Sequence, residues 1–150
     1  MYKILIGLFL SVLCLQAKCQ IQFDEGSFTE VLVKAKQEKR MVFMDCYTSW
    51  CGPCKMMAEK ILPLKEVGEY MNGRFVCIKV DMEKGEGPKL AQKYQVSAYP
   101  TFLVIKTDGT VMHRIVGGTL DGKEFIRKVD GAFDQNSAAS MSAEYMAGNR

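Results

Sequence analysis

The segment from residue 41 to residue 54 limits the possible folds of this chain more than any other. It begins with the apolar run Met41–Cys46, which only Asp45 interrupts. Such a run is typical of a strand covered on both faces, as in the middle of a parallel sheet. The sequence Trp-Cys-Gly-Pro-Cys follows at residues 50–54. We therefore expect a buried strand that leads directly into a turn carrying two closely spaced cysteines.

The spacing of Cys51 and Cys54 suits reversible disulfide chemistry if the turn opens a helix. A thiol at a helix N-terminus lies near unpaired backbone N–H groups, which favour its thiolate form. Pro53 fits the first helical turn because its missing N–H would have no intrahelical partner there. Cys54 then shares a helical face with Cys51 and can attack a mixed disulfide. The pattern predicts Cys51 as the nucleophile and Cys54 as the resolving thiol, with a disulfide between them in the oxidised form.

The remaining sequence alternates between strand and helix signals. Ser27 and Glu30 form a capping-box signature, and Asp108 with Gly109 is a strong hairpin signal. The predicted elements are, in order, an apolar strand at Ile21–Phe23, a helix from Ser27, a strand at Met41–Cys46, a helix from Pro53 broken at Pro63, a strand at Arg74–Val80, a helix from Pro88, a hairpin of Thr101–Lys106 and Val111–Val116, and a final helix capped by Asp121. Strand–helix alternation requires a parallel sheet with helices on its faces, and the hairpin adds antiparallel strands.

These residues resemble the thioredoxin family over roughly residues 27–133. The matching positions are Asp45 six residues before the first cysteine, Trp50, the Cys51–Cys54 motif with Lys55, the strand end Lys79–Asp81, Tyr99–Thr101 and Gly117. The resemblance implies an α/β fold of the thioredoxin-like type, a three-layer sandwich. Its central mixed sheet would have four to five strands with helices on both faces, all within one domain at residues 20–134.

The resemblance also implies roles for residues around the cysteine pair. Pro100 would be in cis beside the pair, with its neighbour's backbone pairing an extended substrate segment. Asp45 would be a buried carboxylate beneath the disulfide, paired with Lys79 and serving proton transfer at Cys54; alternatively, it caps the following turn. The implied substrate-binding residues are Trp50, Gly52, Pro53, Tyr99 and Pro100, although the Trp50 ring has simple packing as an alternative role.

Two departures from the family pattern narrow the resemblance. Glu59 stands where the family usually has a helix-kinking proline, and the loop Met82–Gly87 is longer. Both features resemble exported thioredoxin-like domains, including the C-terminal domain of transmembrane thiol:disulfide interchange reductases. Tyr99 replaces the small, branched aliphatic or threonine residue that is common there, which predicts a restricted range of substrates.

The N-terminal residues have the pattern of a secretory signal peptide at residues 1–19. Lys3 precedes the apolar run Ile4–Leu15, and Ala17 and Cys19 form a small-x-small arrangement. We expect cleavage near Ala17 to Cys19 and a periplasmic or secreted protein. A membrane anchor is the alternative, but the run falls short of the roughly 20 residues that a spanning helix needs. Lipid attachment at a cysteine of this segment is a further alternative. The tail at residues 135–150 is interpreted as disordered or as an incomplete helix.

Strand alternation places Cys46 and Cys77 on opposite faces of the sheet if Asp45 and Lys79 face each other. We therefore interpret both as small core residues. A structural zinc site that joins them to Cys51 and Cys54 is the alternative reading of the cysteines.

The charge balance gives no support to nucleic acid or a membrane surface as a partner. The formal net charge of +3 falls to +1 without Lys3 and Lys18, because 18 basic residues then face 17 acidic ones. The basic run within residues 34–40 is interpreted as a solvated helix end.

Together these features predict an exported protein-disulfide oxidoreductase that needs no cofactor and no metal. By the resemblance, Gly52 and Pro53 favour a reductase over an oxidase. The expected partners are disulfide-containing protein substrates and a membrane or periplasmic thiol electron donor, and we expect a monomer. The alternatives are a redox-inactive binding or chaperone module and the structural zinc module.

Overall fold

A computed structural model describes residues 20–134 of the chain. The predicted signal peptide and the predicted tail lie outside these residues. Within the described range, no helix combines the length and the apolar character needed to cross a membrane.

Five strands form one mixed sheet, which confirms the expected α/β architecture. They are β1 at Phe23–Asp24, β2 at Met41–Tyr47, β3 at Phe75–Asp81, β4 at Thr101–Ile105 and β5 at Val111–Val116. Their order across the sheet is β1-β3-β2-β4-β5. The pairs β1–β3 and β2–β3 are parallel, whereas β2–β4 and β4–β5 are antiparallel. The apolar run Met41–Cys46 thus lies in the central strand, β2.

Helices flank the sheet and begin where the sequence predicts. They are α1 at Phe28–Gln37, α2 at Gly52–Met56, α3 at Lys65–Arg74, α4 at Gly87–Tyr94 and α5 at residues 122–134. The capping box of α1 is formed, because Glu30 N–H bonds the Ser27 hydroxyl while the Glu30 carboxylate accepts from Ser27 N–H. A π-helical turn, Met57–Ile61, continues α2, and the chain becomes helical again only at Lys65. Pro63 lies in this gap, so the predicted break is confirmed.

Both faces of the central strands are buried, which gives the domain two apolar layers. One layer packs α1 and α4 against alternate side chains of β2 and β4, and the other packs the π-helical turn, α3 and α5 against the opposite set. In the second layer Phe43 stacks on Phe102 with ring centres 5.7 Å apart. Phe125 of α5 contacts both rings edge-on. Truncating such a buried ring to alanine costs about 3–5 kcal/mol.

Cys46 and Cys77 lie in different layers, as strand alternation predicts. Cys77 packs with the aromatic layer of Phe43, whereas Cys46 packs with the layer of α1 and α4. Across residues 20–134 no group of three or more His, Cys, Asp or Glu side chains is arranged to hold a metal ion. The four sulfur atoms of the zinc alternative therefore do not converge.

Candidate active site

The cysteine pair lies where the chain leaves β2 and enters α2. Cys51 is the N-cap of α2 in an extended conformation, and its sulfur accepts the Cys54 N–H at 3.2 Å. Pro53 lies in the first turn and leaves no unpaired donor there. Cys51 and Cys54 form a disulfide with Cα atoms 5.3 Å apart. The predicted helix-capping position of the first sulfur is confirmed.

The surface around the disulfide is open on the side of the intervening residues. Cys51 and Cys54 are only 3% and 7% exposed, but Gly52 and Pro53 between them are exposed. A side-chain atom added at Gly52 would meet nothing within 4 Å. A partner can therefore approach the disulfide over Gly52 and Pro53.

Asp45 and Lys79 lie beneath this turn on neighbouring strands. The parallel register of β2 and β3 pairs Asp45 with Lys79, and Asp45 is 4% exposed. Burial raises the pKa of the Asp45 carboxyl to about 7, and the nearby Lys79 ammonium opposes part of that rise. The salt bridges formed by residues 20–134 do not include one between these two side chains. The Lys79 ammonium instead lies 4.9 Å from the centre of the Tyr47 ring. The Asp45 carboxyl and the Lys79 ammonium therefore interact electrostatically at a distance, without a direct ion pair.

A small cavity of about 140 Å³ separates Cys54 from Lys79. Thr48 also lines it, and the buried Thr48 hydroxyl has no hydrogen-bond partner within the described part of the chain. The surface of this cavity is mainly apolar. Cys54 and Lys79 thus line one small cavity in which the Thr48 hydroxyl is a buried polar group. Nothing in the sequence pattern pointed to Thr48.

Pro100 lies at the same edge of the sheet as the disulfide. The peptide bond between Tyr99 and Pro100 is cis, as the resemblance implies. The next residue, Thr101, pairs with Cys46 near the end of β2, so Pro100 adjoins the turn that leads to Cys51. Its carbonyl accepts the Gly117 N–H at 2.8 Å. Within residues 20–134, by contrast, the Tyr99 N–H and carbonyl take part in no backbone hydrogen bond.

Trp50 forms one wall of the site and is held by a residue that sequence reasoning missed. Its indole N–H lies 3.0 Å from each carboxylate oxygen of Glu83. Its ring contacts the Tyr99 ring edge-on, with centres 5.9 Å apart. Trp50 is nevertheless 64% exposed. The sequence shows only that Glu83 lies in the unusually long loop after β3. That position does not predict a hydrogen bond between Glu83 and the Trp50 indole.

The structure therefore brings the predicted site residues to the end of β2, with Asp45 and Lys79 on the two central strands beneath the disulfide.

A family profile described as Thioredoxin matches residues 20–131. The chain belongs to the thioredoxin family. Thioredoxin Y1, a chloroplastic protein of Arabidopsis thaliana, is 36% identical over 116 residues, which are 77% of this chain and 60% of the relative. The chain spans between 57% and 60% of the length of this and two similar plant thioredoxins.

Solved structures share the same fold. One is a Bacteroides thetaiotaomicron protein named as a candidate disulphide-isomerase, which is 45% identical with a TM-score of 0.68. The match covers 76% of this thioredoxin-family chain and 93% of that protein. Another is the oxidised C-terminal domain of Neisseria meningitidis DsbD, 25% identical with a TM-score of 0.60, covering 75% of this chain and 98% of the domain.

Proposed function

We propose that this chain is an exported protein-disulfide oxidoreductase that works as a reductase through Cys51 and Cys54. The observation that carries the proposal is the disulfide at the start of α2, where the Cys54 N–H donates to the Cys51 sulfur. The same donor would stabilise a Cys51 thiolate after reduction, because a negative sulfur accepts hydrogen bonds more strongly than a neutral one. Family membership supports this chemistry.

The reaction moves one electron pair through two sulfur exchanges. The Cys51 thiolate attacks one sulfur of a substrate disulfide, and the other substrate sulfur leaves as a thiolate that takes up a proton. Cys54 then loses its proton and attacks the Cys51 sulfur, which releases the second substrate thiolate. The substrate gains two electrons and two protons in total, and the protein is left with the Cys51–Cys54 disulfide. The sulfur atoms carry the electrons, so the exchange requires no bound cofactor.

Asp45 and Lys79 would serve the second exchange. Lys79 and Cys54 line the same cavity, and Asp45 lies opposite Lys79 in the sheet. A carboxyl with a pKa of about 7 changes its protonation near neutral pH, which suits a group that accepts a proton and returns it. We therefore assign this pair to proton transfer at Cys54.

Substrates would contact the exposed rim of the site. Trp50, Gly52 and Pro53 form its outer surface, and the partly buried Tyr99 and the buried Pro100 form its inner side. Because the Tyr99 backbone groups are unpaired within residues 20–134, an extended substrate segment can hydrogen-bond to them as an added strand.

Export and the cycling of the cysteine pair rest on separate observations, and the reducing direction rests on Gly52 and Pro53 by resemblance to the family. Export is supported by Lys3 and the apolar run Ile4–Leu15. The C-terminal domain of Neisseria meningitidis DsbD, 25–28% identical to this chain, has been solved in oxidised and reduced forms, which supports a pair that cycles. The predicted electron donor is a membrane or periplasmic thiol, and the predicted state is a monomer.

Insulin reduction with dithiothreitol as donor tests the assignment. We expect Cys51→Ser to lose all catalysed reduction, while the matched control Cys46→Ala retains it. Cys54→Ser should accumulate a mixed disulfide with the substrate because resolution is blocked. Full activity of Cys51→Ser would refute Cys51 as the nucleophile. Wild-type protein that does not accelerate insulin reduction would instead favour a redox-inactive binding module. Equilibration of the pair with glutathione then tests direction, since a potential as oxidising as about −120 mV would indicate an oxidase.

A further inference from the structure

A wide cleft among the described residues lies at the opposite end of the central strands from the disulfide. Its volume is about 810 Å³, and it opens where β2 begins, where α1 and α3 end and where the β4–β5 hairpin turns. Five basic side chains from three separate segments line it: Lys36, Lys39, Arg40, Arg74 and Lys106. We call it the basic cleft. The run interpreted from sequence as a solvated helix end thus forms one side of a concave site.

The two acidic residues of the basic cleft balance only part of its positive charge, although Lys106 lies near enough to Asp108 to help lower the pKa of that carboxyl. Asp108 accepts hydrogen bonds from the backbone N–H and the hydroxyl of Thr110, at 2.9 and 2.6 Å. Asp130 accepts the Tyr70 hydroxyl at 2.6 Å. Both carboxylates therefore have partners other than lysine, and positive charge exceeds negative charge in the basic cleft.

The two arginines of the basic cleft contact other groups of the domain, whereas its three lysines form no salt bridge within residues 20–134. The Arg40 guanidinium donates to the carbonyls of Asn72 and Phe75, and Arg74 stacks on the Tyr70 ring at 4.1 Å. Lys36, Lys39 and Lys106 are exposed, and the salt bridges of residues 20–134 include none of them. A helix C-terminus favours a cation at Lys36, but it does not account for the two lysines that lie outside helices. Their ammonium groups are available to an external anion.

The basic cleft also has an apolar floor formed by Met41, Met112 and Phe133, which are partly buried. Lysine stems lie well along such a surface while their ammonium groups reach towards phosphate. The combination suits a ligand with an anionic head and an adjoining apolar part.

The N-terminal chain joins the domain beside the basic cleft. The Asn72 side chain donates to the Gln20 carbonyl at 3.0 Å and accepts the Gln22 N–H at 2.9 Å. Asn72 directly precedes Gly73 and Arg74, which line the basic cleft. The sequence before Gln20 includes the apolar run Ile4–Leu15. The first described residue, Gln20, therefore lies beside the basic cleft.

We propose that the basic cleft docks the domain on a bilayer that contains anionic phospholipids. Lys36, Lys39 and Lys106 would bind the phosphate head groups, and the apolar floor would face the upper part of the lipid. The basic cleft lies at the start of β2, and the disulfide follows the end of β2. The seven residues of this strand span about 20 Å at roughly 3.3 Å per residue. A docked domain would hold its disulfide away from the lipid and open to proteins. This inference goes beyond the proposed function and does not depend on it.

Vesicle co-sedimentation of the full chain tests this docking. We compare vesicles of phosphatidylcholine alone with vesicles of equal parts phosphatidylcholine and phosphatidylglycerol. Each lysine near an anionic surface strengthens binding about fivefold, so replacing Lys36, Lys39 and Lys106 by Gln should weaken partition onto anionic vesicles about 100-fold. The matched control replaces the exposed Lys60, Lys89 and Lys123 by Gln and should bind like the wild type. Salt at about 1 M should abolish the difference between the two vesicle types.

Three outcomes would overturn the docking. They are equal binding to both vesicle types, an equal loss in the control variant, and binding of monomeric short-chain phosphatidylglycerol without recruitment to vesicles. Circular dichroism of each variant verifies that the fold is retained. Insulin reduction in solution should be the same for both triple variants, so a failure of docking is distinguishable from a failure of the oxidoreductase assignment.

Discussion

Four cysteines of this domain form two pairs with opposite properties. Cys77 and Cys51 have almost the same accessible area, 2% and 3%, so exposure alone does not separate them. Burial raises the pKa of the Cys77 thiol to about 12, and burial together with the nearby Asp45 charge raises that of the Cys46 thiol further. Cys51 instead lies at a helix start with the Cys54 N–H directed at its sulfur. Nearby polar donors, more than burial, distinguish a reactive thiol from an inert one.

The largest expected difference between the pairs is in alkylation. In reduced protein, iodoacetamide should modify Cys51 at least about 1000-fold faster than Cys46 or Cys77. The Cys46 and Cys77 thiols have raised pKa values and lie inside the apolar layers, so they react only when the domain opens, whereas the Cys51 sulfur can be approached over the exposed Gly52 and Pro53. Mass spectrometry of the labelled peptides measures the rate at each site. In denaturant all of these cysteines should react alike, which provides the control. Fast labelling of Cys77 in the folded protein would break the comparison.

The buried Asp45 carboxyl should make the stability of the fold depend on pH. Folding raises the pKa of Asp45 from 3.8 to about 7, so the native state binds more protons than the unfolded state between these values. The free energy of unfolding should therefore fall as pH rises through this range, and Asp45→Asn should remove that fall. The difference in the free energy of unfolding between Asp45→Asn and the wild type should shift in favour of the variant by up to about 4 kcal/mol between acid pH and pH values above 7. Denaturant unfolding at a series of pH values measures it.

Asp108→Asn serves as the control of opposite sign. Hydrogen bonds from Thr110 lower the pKa of Asp108, so this carboxylate contributes stability above its unfolded pKa and loses it as pH falls. A pH profile of Asp45→Asn that matches the wild type would show that Asp45 does not titrate as a buried acid.

A smaller effect should follow when the inert pair is truncated. Cys46→Ala and Cys77→Ala each remove a buried sulfur and should destabilise the fold by about 1–2 kcal/mol. Their kcat/KM for insulin reduction should remain that of the wild type. Cys51→Ala should do the reverse in reduced protein, with stability nearly unchanged and turnover lost. Loss of turnover in Cys46→Ala, at full folding, would contradict the division into two pairs.

The smallest expected effect concerns Trp50, which forms one wall of the site around Cys51 and Cys54. Glu83→Ala removes the acceptor of the Trp50 indole and should raise KM for insulin about threefold with kcat unchanged, the order expected from one exposed hydrogen bond. Glu83→Gln keeps an acceptor and should show a weaker effect. Steady-state kinetics measures both. A change in kcat without a change in KM would place Glu83 in the chemical step.

Much of the fold was predictable because its signals are local. The apolar run at Met41–Cys46 predicted the central strand, Pro63 predicted the helix break, and strand alternation predicted that Cys46 and Cys77 face different layers. Each prediction needs only the geometry of one element and its neighbours in sequence. The position of Cys51 at a helix start was accessible for the same reason.

Contacts between distant segments were not predictable in this way. Trp50 and Glu83 are 33 positions apart in sequence, and no periodicity pairs an indole with a particular carboxylate. The overall charge balance also concealed the basic cleft, because net charge does not record where the charges lie.

The sequence by itself determined the order of elements, the family and the identity of the two reactive cysteines, since each depends on spacing along the backbone. Only the tertiary structure decided that Lys79 and Thr48 share a cavity with the resolving cysteine. It also decided that Lys106 of the hairpin joins Lys36 and Lys39 in the basic cleft. These relations depend on strand order and packing, which bring together side chains that the sequence keeps apart.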